Sequence, residues 1–462
     1  MAWSFWCYSF DDAFITYRYA RTWAETGRLA YNGGEAVLGT TAPGYALVLG
    51  LLNKVTGLPV PAWGTLLAVA SLLATALLVR LALPSARPVI RNWVPVLFGA
   101  GALSCRWNVE LFGAEQLPII ALGLAALYAA WDLERPVVAG IMVAIAMTFR
   151  LDAAILAGLL GVALWVRKRS LPWRFALSGL LPVALFLSFL GAEFGSFIPT
   201  TFAAKQTEWV NMPGTYNGQQ WFWFRRDLAL PARLALFPLA AWGAVETVRA
   251  WRRGGPGAPS LAGAVGGLWL LAHEAAYRVL GVPFAPWYSI LLINGLLLLA
   301  ALGATTLASR LVRVGQGPLA ALLLLPVFVS SGMFLREYWG RPPDPRWDGY
   351  MAVGRYILEH EGTSVATVEI GFIGWASKAA VLDLMGLVSP DALPARLRGE
   401  LPSLVAARRP EYLVDTDRFR PLWLNPILAH PEVAARYRQV ANFPDDRFPG
   451  LDVRLLRRFP PP

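Results

Sequence analysis

The sequence predicts a mainly α-helical, polytopic transmembrane bundle with a small α/β domain at its C-terminal end, and three observations carry that reading. The 462-residue chain is 56% hydrophobic and only 15% charged, where a soluble protein averages about 25% charged, and its mean hydropathy is +0.47. Apolar runs recur between Val60 and Met333, with arginine and lysine gathered in alternate gaps between them. Beyond residue 335 the composition turns charged and proline-rich, with short runs of β-forming residues.

Residues 1–59 read as a water-facing first loop. Met1–Phe10 is apolar but falls short of the ~20 residues a helix needs to cross a bilayer, and it lacks the charged start of a signal peptide. A helix is expected over Asp12–Trp23, with Asp11 as its cap. Pro43–Leu58, apolar but carrying Asn53 and Lys54, is expected to lie along the membrane interface. Residues 60–334 hold the spans: Val60–Leu83, Asn92–Ser104, Ala114–Trp131, Pro136–Phe149, Ala153–Val166, Pro172–Phe194, Leu228–Val248, Ser260–Leu280, Trp287–Ala308 and Pro318–Met333, about ten in all. Arg80, Arg87 and Arg91, then Arg135, then Arg167, Lys168, Arg169 and Arg174, then Arg249, Arg252 and Arg253, then Arg310 and Arg313 mark alternate loops as cytoplasmic. The first loop, a long loop over 195–227 and the domain 335–462 then face outside. That domain shows β-type runs at Ser364–Val368, Ala380–Leu384, Tyr412–Asp415 and Leu451–Leu456, with helical patterns at Tyr350–His360 and Leu401–Arg408.

The net charge of +11 does not point to nucleic acid, because the basic residues sit in short clusters between apolar runs and the positive-inside bias accounts for them. Two cysteines, Cys7 and Cys105, imply neither a disulfide framework nor a thiolate metal site, and can pair only if both lie on the outer side. With 3 histidines in the chain, no histidine metal cluster is legible.

The residues able to carry chemistry stand at the outer ends of the apolar segments. Asp11-Asp12-Ala13-Phe14-Ile15-Thr16-Tyr17-Arg18-Tyr19-Ala20 is followed by Tyr31-Asn32-Gly33-Gly34-Glu35 and Gly39-Thr40-Thr41-Ala42-Pro43. The plain reading of the two carboxylates is a helix cap; Arg18, two turns on, shares the face of Asp11, so an acid and a base converge. Gly113-Ala114-Glu115-Gln116-Leu117 opens a span, where a glutamate also suits the helix N-terminus. Arg150-Leu151-Asp152 interrupts two apolar runs as a tight outer hairpin, with a local salt bridge as its plain meaning. Pro199-Thr200-Thr201 precedes Lys205, which is either a solvated charge or a phosphate ligand beside the headgroups. Trp287-Tyr288 opens another span, where aromatic residues anchor to the interface. In the tail, Glu369-Ile370-Gly371-Phe372-Ile373-Gly374-Trp375 and Asp383-Leu384-Met385-Gly386-Leu387 read as two strands ending in glycine turns.

Taken together these motifs resemble the membrane glycosyltransferases of the GT-C superfamily, most nearly the bacterial arabinofuranosyltransferase-like group. That group shows an Asp-Asp-Ala-Phe-Ile-x-Tyr-Arg-Tyr-Ala loop, then Asn-x-Gly-Glu, Thr-Ser-Pro, Gly-x-Glu-Thr, an Arg-acidic pair, Pro-Asn-Thr-x-x-x-Lys, Trp-Tyr, Glu-x-Gly-x-x-Gly-Tyr and Asp-x-x-Gly-Leu. Gln116 stands where the group has Thr, and Thr200 where it has Asn. The resemblance covers nearly the whole chain, and implies a GT-C-type bundle in the bacterial cytoplasmic membrane with its active site outside. It implies an inverting enzyme that moves a sugar from a polyprenyl-phosphate donor to a glycan, lipid or protein acceptor of the cell envelope. Asp11 would be the base, Asp12 would orient it or hold a divalent cation, and Glu115 would be the second acid. Arg18, Arg150 and Lys205 would take the donor phosphate, and Trp287 and Tyr288 would stack on the sugar. No other cofactor is implied; membrane lipid is a partner and nucleic acid is not. The group carries a full transmembrane helix before its Asp-Asp pair, so about 15 to 20 further apolar residues are expected upstream of Met1.

The rival reading is a multi-pass transporter or lipid flippase with an external domain. It calls for ionisable residues at mid-bilayer and for paired halves, whereas here the charges gather at segment ends and no repeat is visible. The arginine and lysine alternation requires the C-terminal domain to lie outside the cytoplasm. A reporter active only outside the cytoplasm, fused after Pro462, should therefore give signal, and a reporter active only inside should stay silent.

Overall fold

The computed structural model describes residues 8–81, 87–208, 229–253, 269, 272–280, 290–338, 344, 346–417, 419–444 and 452–460. Its contacts divide the chain into two compact units, one made of Thr65–Leu187 with Glu208–Arg341 and the other of Trp6–Gly64 with Ser188–Thr207 and Pro342–Pro462. The first loop, the start of the expected outer loop and the C-terminal domain thus belong to one body.

In chain order the helices are α1 (Asp11–Thr26), α2 (Pro43–Thr56), α3 (Val60–Leu81), α4 (Pro88–Ser104), α5 (Arg106–Glu110), α6 (Gln116–Trp131), α7 (Pro136–Phe149), α8 (Ala154–Lys168), α9 (Trp173–Phe194), α10 (Thr200–Glu208) and α11 (Leu230–Arg253). Residues 272–279 form α12, followed by α13 (Ile290–Leu311), α14 (Gln316–Tyr338), α15 (Trp347–Glu359), α16 (Gly371–Ser377), α17 (Ala392–Leu397), α18 (Leu401–Arg408), α19 (Asn425–Ala429) and α20 (Pro431–Arg436). Proline stands in the first turn of α2, α4 and α7, where its missing N–H costs nothing. Gly27 and Gly57 end α1 and α2 in the left-handed conformation that glycine adopts without strain.

Among the described residues four helices are long and apolar enough to cross a membrane: α3, α9, α13 and the Gln316–Met333 part of α14. This is fewer than the ten spans expected. Helices α6 and α7, of 16 and 14 residues, reach only about 24 and 21 Å at 1.5 Å per residue, short of a ~30 Å hydrocarbon core. The Ser260–Leu280 and Trp287–Ala308 segments lie partly outside the described residues, as does Cys7.

Within the helical unit, α11 and α13 cross backbone to backbone. A methyl group on Gly243 would overlap the carbonyl of Leu299, and one on Gly303 would overlap that of Leu239; such small-residue crossings let helices approach where lipid supplies no hydrophobic drive. Asn108 and Asn294 exchange amide hydrogen bonds of 3.1 and 2.9 Å and tie α5 to α13.

The tail folds around a five-stranded sheet of order β2-β1-β3-β5-β4, with β1 (Ser364–Thr367), β2 (Ala380–Asp383), β3 (Tyr412–Thr416), β4 (Tyr437–Phe443) and β5 (Val453–Arg458). β2, β1 and β3 are parallel, and β5 runs antiparallel to both β3 and β4. Ala366, Leu384, Leu413, Leu424 and Ile427 share a buried core with α18 and α19. Four of these strands match the β-type runs. The fifth, β4, exposes Arg438, Gln439 and Asn442 at the sheet edge and carries no apolar run to announce it. The glycine motif after β1 is a helix, α16, rather than a strand ending in a turn.

Replacing Gly303 by leucine should separate α11 from α13 and lower stability by about 1–3 kcal/mol, the usual cost of overpacking. The midpoint of thermal unfolding in detergent measures it, and Gly332→Leu, at a position with open space around it, should leave the midpoint near its starting value.

Candidate active site

Helix α1 begins at Asp11 and presents Asp11, Phe14 and Arg18 to the tail. Asp11 is 1% exposed. Its Oδ2 accepts the backbone N–H of Gly371 at 3.0 Å and its Oδ1 that of Phe372 at 2.7 Å. Its own backbone N–H donates to Asp344 Oδ2 at 3.0 Å. Arg346 closes the network, pairing with Asp344 and, at 2.8 Å, with Glu369. Burial raises the Asp11 carboxyl well above its ordinary value, against the pull of Arg346 and with a further push from Glu369. Asp344 feels the same burial, but its ion pair and hydrogen bonds with Arg346 hold it below the ordinary value.

This geometry bears on the role expected of Asp11. A carboxylate with both oxygens on backbone N–H groups and no exposed face cannot meet an acceptor hydroxyl, nor turn those oxygens to a cation. Asp12, the next residue, is only partly buried. Among the described residues no group of three or more His, Cys, Asp or Glu converges as a metal site.

Arg18 is 4% exposed, and its guanidinium is taken up inside the fold. Nε donates to the Tyr31 carbonyl at 2.8 Å, Nη1 to that of Gly374 at 2.6 Å, and Nη2 to that of Ala379 at 2.7 Å and to Asn32 Oδ1 at 3.4 Å. Those are four of the five donors a guanidinium owns, so Arg18 serves as a clasp instead of the expected phosphate ligand. Asn32 in turn exchanges hydrogen bonds of 2.9 Å with both backbone groups of Val381 on the edge strand β2.

The remaining first-loop motif meets the second glycine motif of the tail. Asp383, fully buried at the end of β2, accepts the N–H groups of Met385, Leu387 and Val388 at 2.8, 2.5 and 2.9 Å, and Gly386 completes the turn at φ +84°. Burial pushes the Asp383 carboxyl up to about 6, against the pull of those three N–H groups. The turn directs the Leu387 carbonyl to the hydroxyl of Thr200. Thr200 also donates its N–H to Leu38 at 2.9 Å, and Thr201 its hydroxyl to Gly39 at 2.6 Å. These bonds seat the start of α10, the helix that carries Lys205.

In the helical unit a second cluster surrounds Arg150. Its Nη1 donates to Glu115 Oε1 at 3.1 Å, and Nε and Nη2 to Asp152 Oδ2 at 3.0 and 2.9 Å; Nη2 also reaches the Tyr277 hydroxyl at 2.9 Å. Tyr277 donates to Asp152, His273 Nε2 lies 3.4 Å from the same oxygen, and Gln116 Nε2 donates to Glu115 at 3.1 Å. Glu115 and Arg150 are thus brought together, and the salt bridge expected of Arg150 and Asp152 is present. Trp287 and Tyr288 lie outside the described residues. Sequence reasoning had quoted Tyr31 and Asn32 only as part of a motif, had given His273 and Tyr277 no role, and had passed over Asp344 and Arg346; the Arg346 pair carried a signal, two opposite charges among prolines at the head of the tail.

The fold is that of the GT-C membrane glycosyltransferases: a helical bundle with a small C-terminal domain. The chain is similar in structure to ArnT from Cupriavidus metallidurans in its apo state, with TM-score 0.61 and 13% identity over 98% of this chain and 95% of that one. The same protein bound to undecaprenyl phosphate gives 0.60 over the same shares, also at 13% identity. The oligosaccharyltransferase of Archaeoglobus fulgidus, in complex with zinc and sulfate, gives 0.55 at 12% identity over 94% of this chain and 68% of that one. Residues 341–457 match the model of a domain of unknown function, DUF8728. No curated protein matches the chain in sequence.

The raised Asp383 carboxyl has a consequence for stability. An unfolded aspartate titrates near 3.9, so the folded state binds this proton more tightly, and the group's contribution is full below pH ~4 and lost as pH rises through about 6. The span of roughly two units corresponds to about 3 kcal/mol at most. Comparing unfolding midpoints between pH 4 and 7 for the protein and for Asp383→Asn should show the steeper fall in the unsubstituted chain.

Proposed function

We propose that the protein is an inverting glycosyltransferase that moves a sugar from a polyprenyl-phosphate donor to a glycan, lipid or protein acceptor of the cell envelope. It works on the outer face of a bacterial cytoplasmic membrane, and its finer kinship is with the arabinofuranosyltransferase-like group. The observation that carries the reading is the Asp-Asp pair at the first turn of α1, one side chain buried on the backbone of α16 and the next only partly buried, within a GT-C fold. The fold is shared with ArnT, a structure of which holds undecaprenyl phosphate. A lipid-linked donor also suits an enzyme working outside, where nucleotide sugars are absent.

The roles divide along the geometry. Asp12 takes the proton of the acceptor hydroxyl as its oxygen attacks the anomeric carbon. The bond from that carbon to the phosphate oxygen breaks, and the polyprenyl phosphate leaves with the electron pair. One displacement inverts the anomeric centre, through a transition state of oxocarbenium type. Asp11 holds the turn on which Asp12 stands. Lys205 meets the departing phosphate, since a lysine beside the headgroups is a compact charge for that task. Glu115 is the second acid, and Arg150 acts through it: a guanidinium already engaged by two carboxylates has little charge left for an anion. Trp287 and Tyr288 are assigned to the sugar by resemblance alone.

Membranes carrying the protein, incubated with a panel of polyprenyl-phosphate sugars, should consume one of them. Asp12→Asn keeps size and polarity but cannot take the proton, so turnover should drop by about 10²-fold or more with donor affinity unchanged. Lys205→Ala should instead weaken donor binding by about 1.5–3 kcal/mol. Normal turnover in Asp12→Asn would remove the base from this pair.

A further inference from the structure

The signature residues of the first loop end on the tail's backbone. Asp11 takes the first two N–H groups of α16. Arg18 takes the carbonyl of Gly374 and Arg21 that of Trp375 at 3.0 Å, so the last turn of the same helix is held too. Between them Phe14, 1% exposed, lies edge-on to Phe372, Trp375 and Trp347 with ring centroids 5.0, 5.7 and 5.4 Å away. The approach is too close for side chains: a methyl on Gly371 would overlap the Asp11 carbonyl, and one on Gly374 the Tyr31 hydroxyl. The Tyr31 hydroxyl donates to Ile370 just before α16, at 2.5 Å. One face of α1 therefore grips α16 from end to end, and the Gly-x-x-Gly spacing of α16 is what lets it seat.

We infer that the tail, the region matching the domain of unknown function, is the positioning element of the proposed active site. The direction in which Asp12 points is set by the seating of α16 on α1. The backbone N–H of Asp11 is fixed by Asp344 and the side chains of Asp11 and Phe14 by α16, so Asp12, only partly buried, stands on a turn held by the tail. Asp11, Arg18 and Gly371 are positioning residues in this account and touch no substrate. The inference rests on the glycosyltransferase reading for what is positioned, and on the hydrogen bonds alone for the grip.

The test measures grip and transfer separately on the full chain. Arg18→Ala and Gly371→Val should each speed hydrogen exchange of the α16 amides by about 10-fold or more while β1 and β3 keep their protection. In the same variants turnover should fall by about 10-fold or more with donor affinity within about twofold, and the acid limb of the pH profile should move because the environment of Asp12 has changed. Arg457→Ala, on the sheet and away from α1, should change none of these. Should Gly371→Val fail to fold, Arg18→Lys makes the same comparison, since an ammonium carries its donors on one nitrogen and cannot span three carbonyls that Arg18 reaches from three separate nitrogens. Unchanged exchange in α16 overturns the grip whatever the activity. Loosened α16 with unchanged turnover, or protection lost across the whole sheet together, overturns the positioning role. A starting protein that consumes no polyprenyl-phosphate sugar overturns the functional reading instead, and leaves the exchange result standing by itself.

Discussion

The Asp11 carboxylate on the N–H groups of Gly371 and Phe372 is the contact on which the loop-and-tail unit depends. Burying a carboxylate costs several kcal/mol unless hydrogen bonds replace its water, so the first turn of α1 is stable only with the tail in place. The reverse holds as well. The start of α16 exposes N–H groups that no residue of the helix can satisfy, and the carboxylate that satisfies them lies 360 positions earlier in the chain. Two segments at opposite ends of the sequence thereby complete each other's hydrogen bonding, and neither end reads as an independent domain.

The helical unit solves the same problem by another device. Glu115, Arg150 and Asp152 would each be expensive among apolar helices, but together they neutralise most of one another's charge, and Tyr277 and His273 close on the shared oxygen of Asp152. Such a cluster is a poor source of net stability, since desolvation absorbs most of the attraction, yet it is costly to break. It fixes the hairpin between α7 and α8 and holds the carboxylate of Glu115 in one orientation. The Asn108 and Asn294 pair does for α5 and α13, without charge, what the cluster does for the hairpin.

Much of the architecture was legible in the sequence. Pro136–Phe149 and Leu401–Arg408 were bounded as they stand, because proline sets a helix start and apolar spacing sets its length. β1, β2 and β3 were visible as short apolar runs between turn residues. What escaped was either an edge or a contact. β4 is half solvated, so its pattern is polar. α16 contains two glycines, which lower helix propensity and read as turn; the residues that make it a helix, Asp11 at one end and Arg18 at the other, are more than 350 positions away and leave no local trace. The motifs were legible as motifs, and the pairing among them was not.

That distinction decides how charged signatures of this kind are to be read. An acidic or basic residue in a recurring motif is drawn toward substrate by default, because charge near a membrane surface is costly and invites a function. Backbone carbonyls and amides of a second segment use the same chemistry: a guanidinium that can fork onto a phosphate can as well fork onto three carbonyls, and a base poised for a hydroxyl can as well accept two N–H groups. Burial separates the two cases. Arg18 and Asp11 are both sealed, Arg18 with four of its five donors engaged and Asp11 with a backbone N–H on each oxygen, and their spacing of seven residues is the spacing at which one face of α1 spans the two turns of α16. In Asp11-Asp12 the adjacency itself is the informative feature, because successive residues of a helix point about 100° apart. In the proposed function the pair gives one carboxylate to the fold and its neighbour to the chemistry, and the precision of the second is inherited from the immobility of the first.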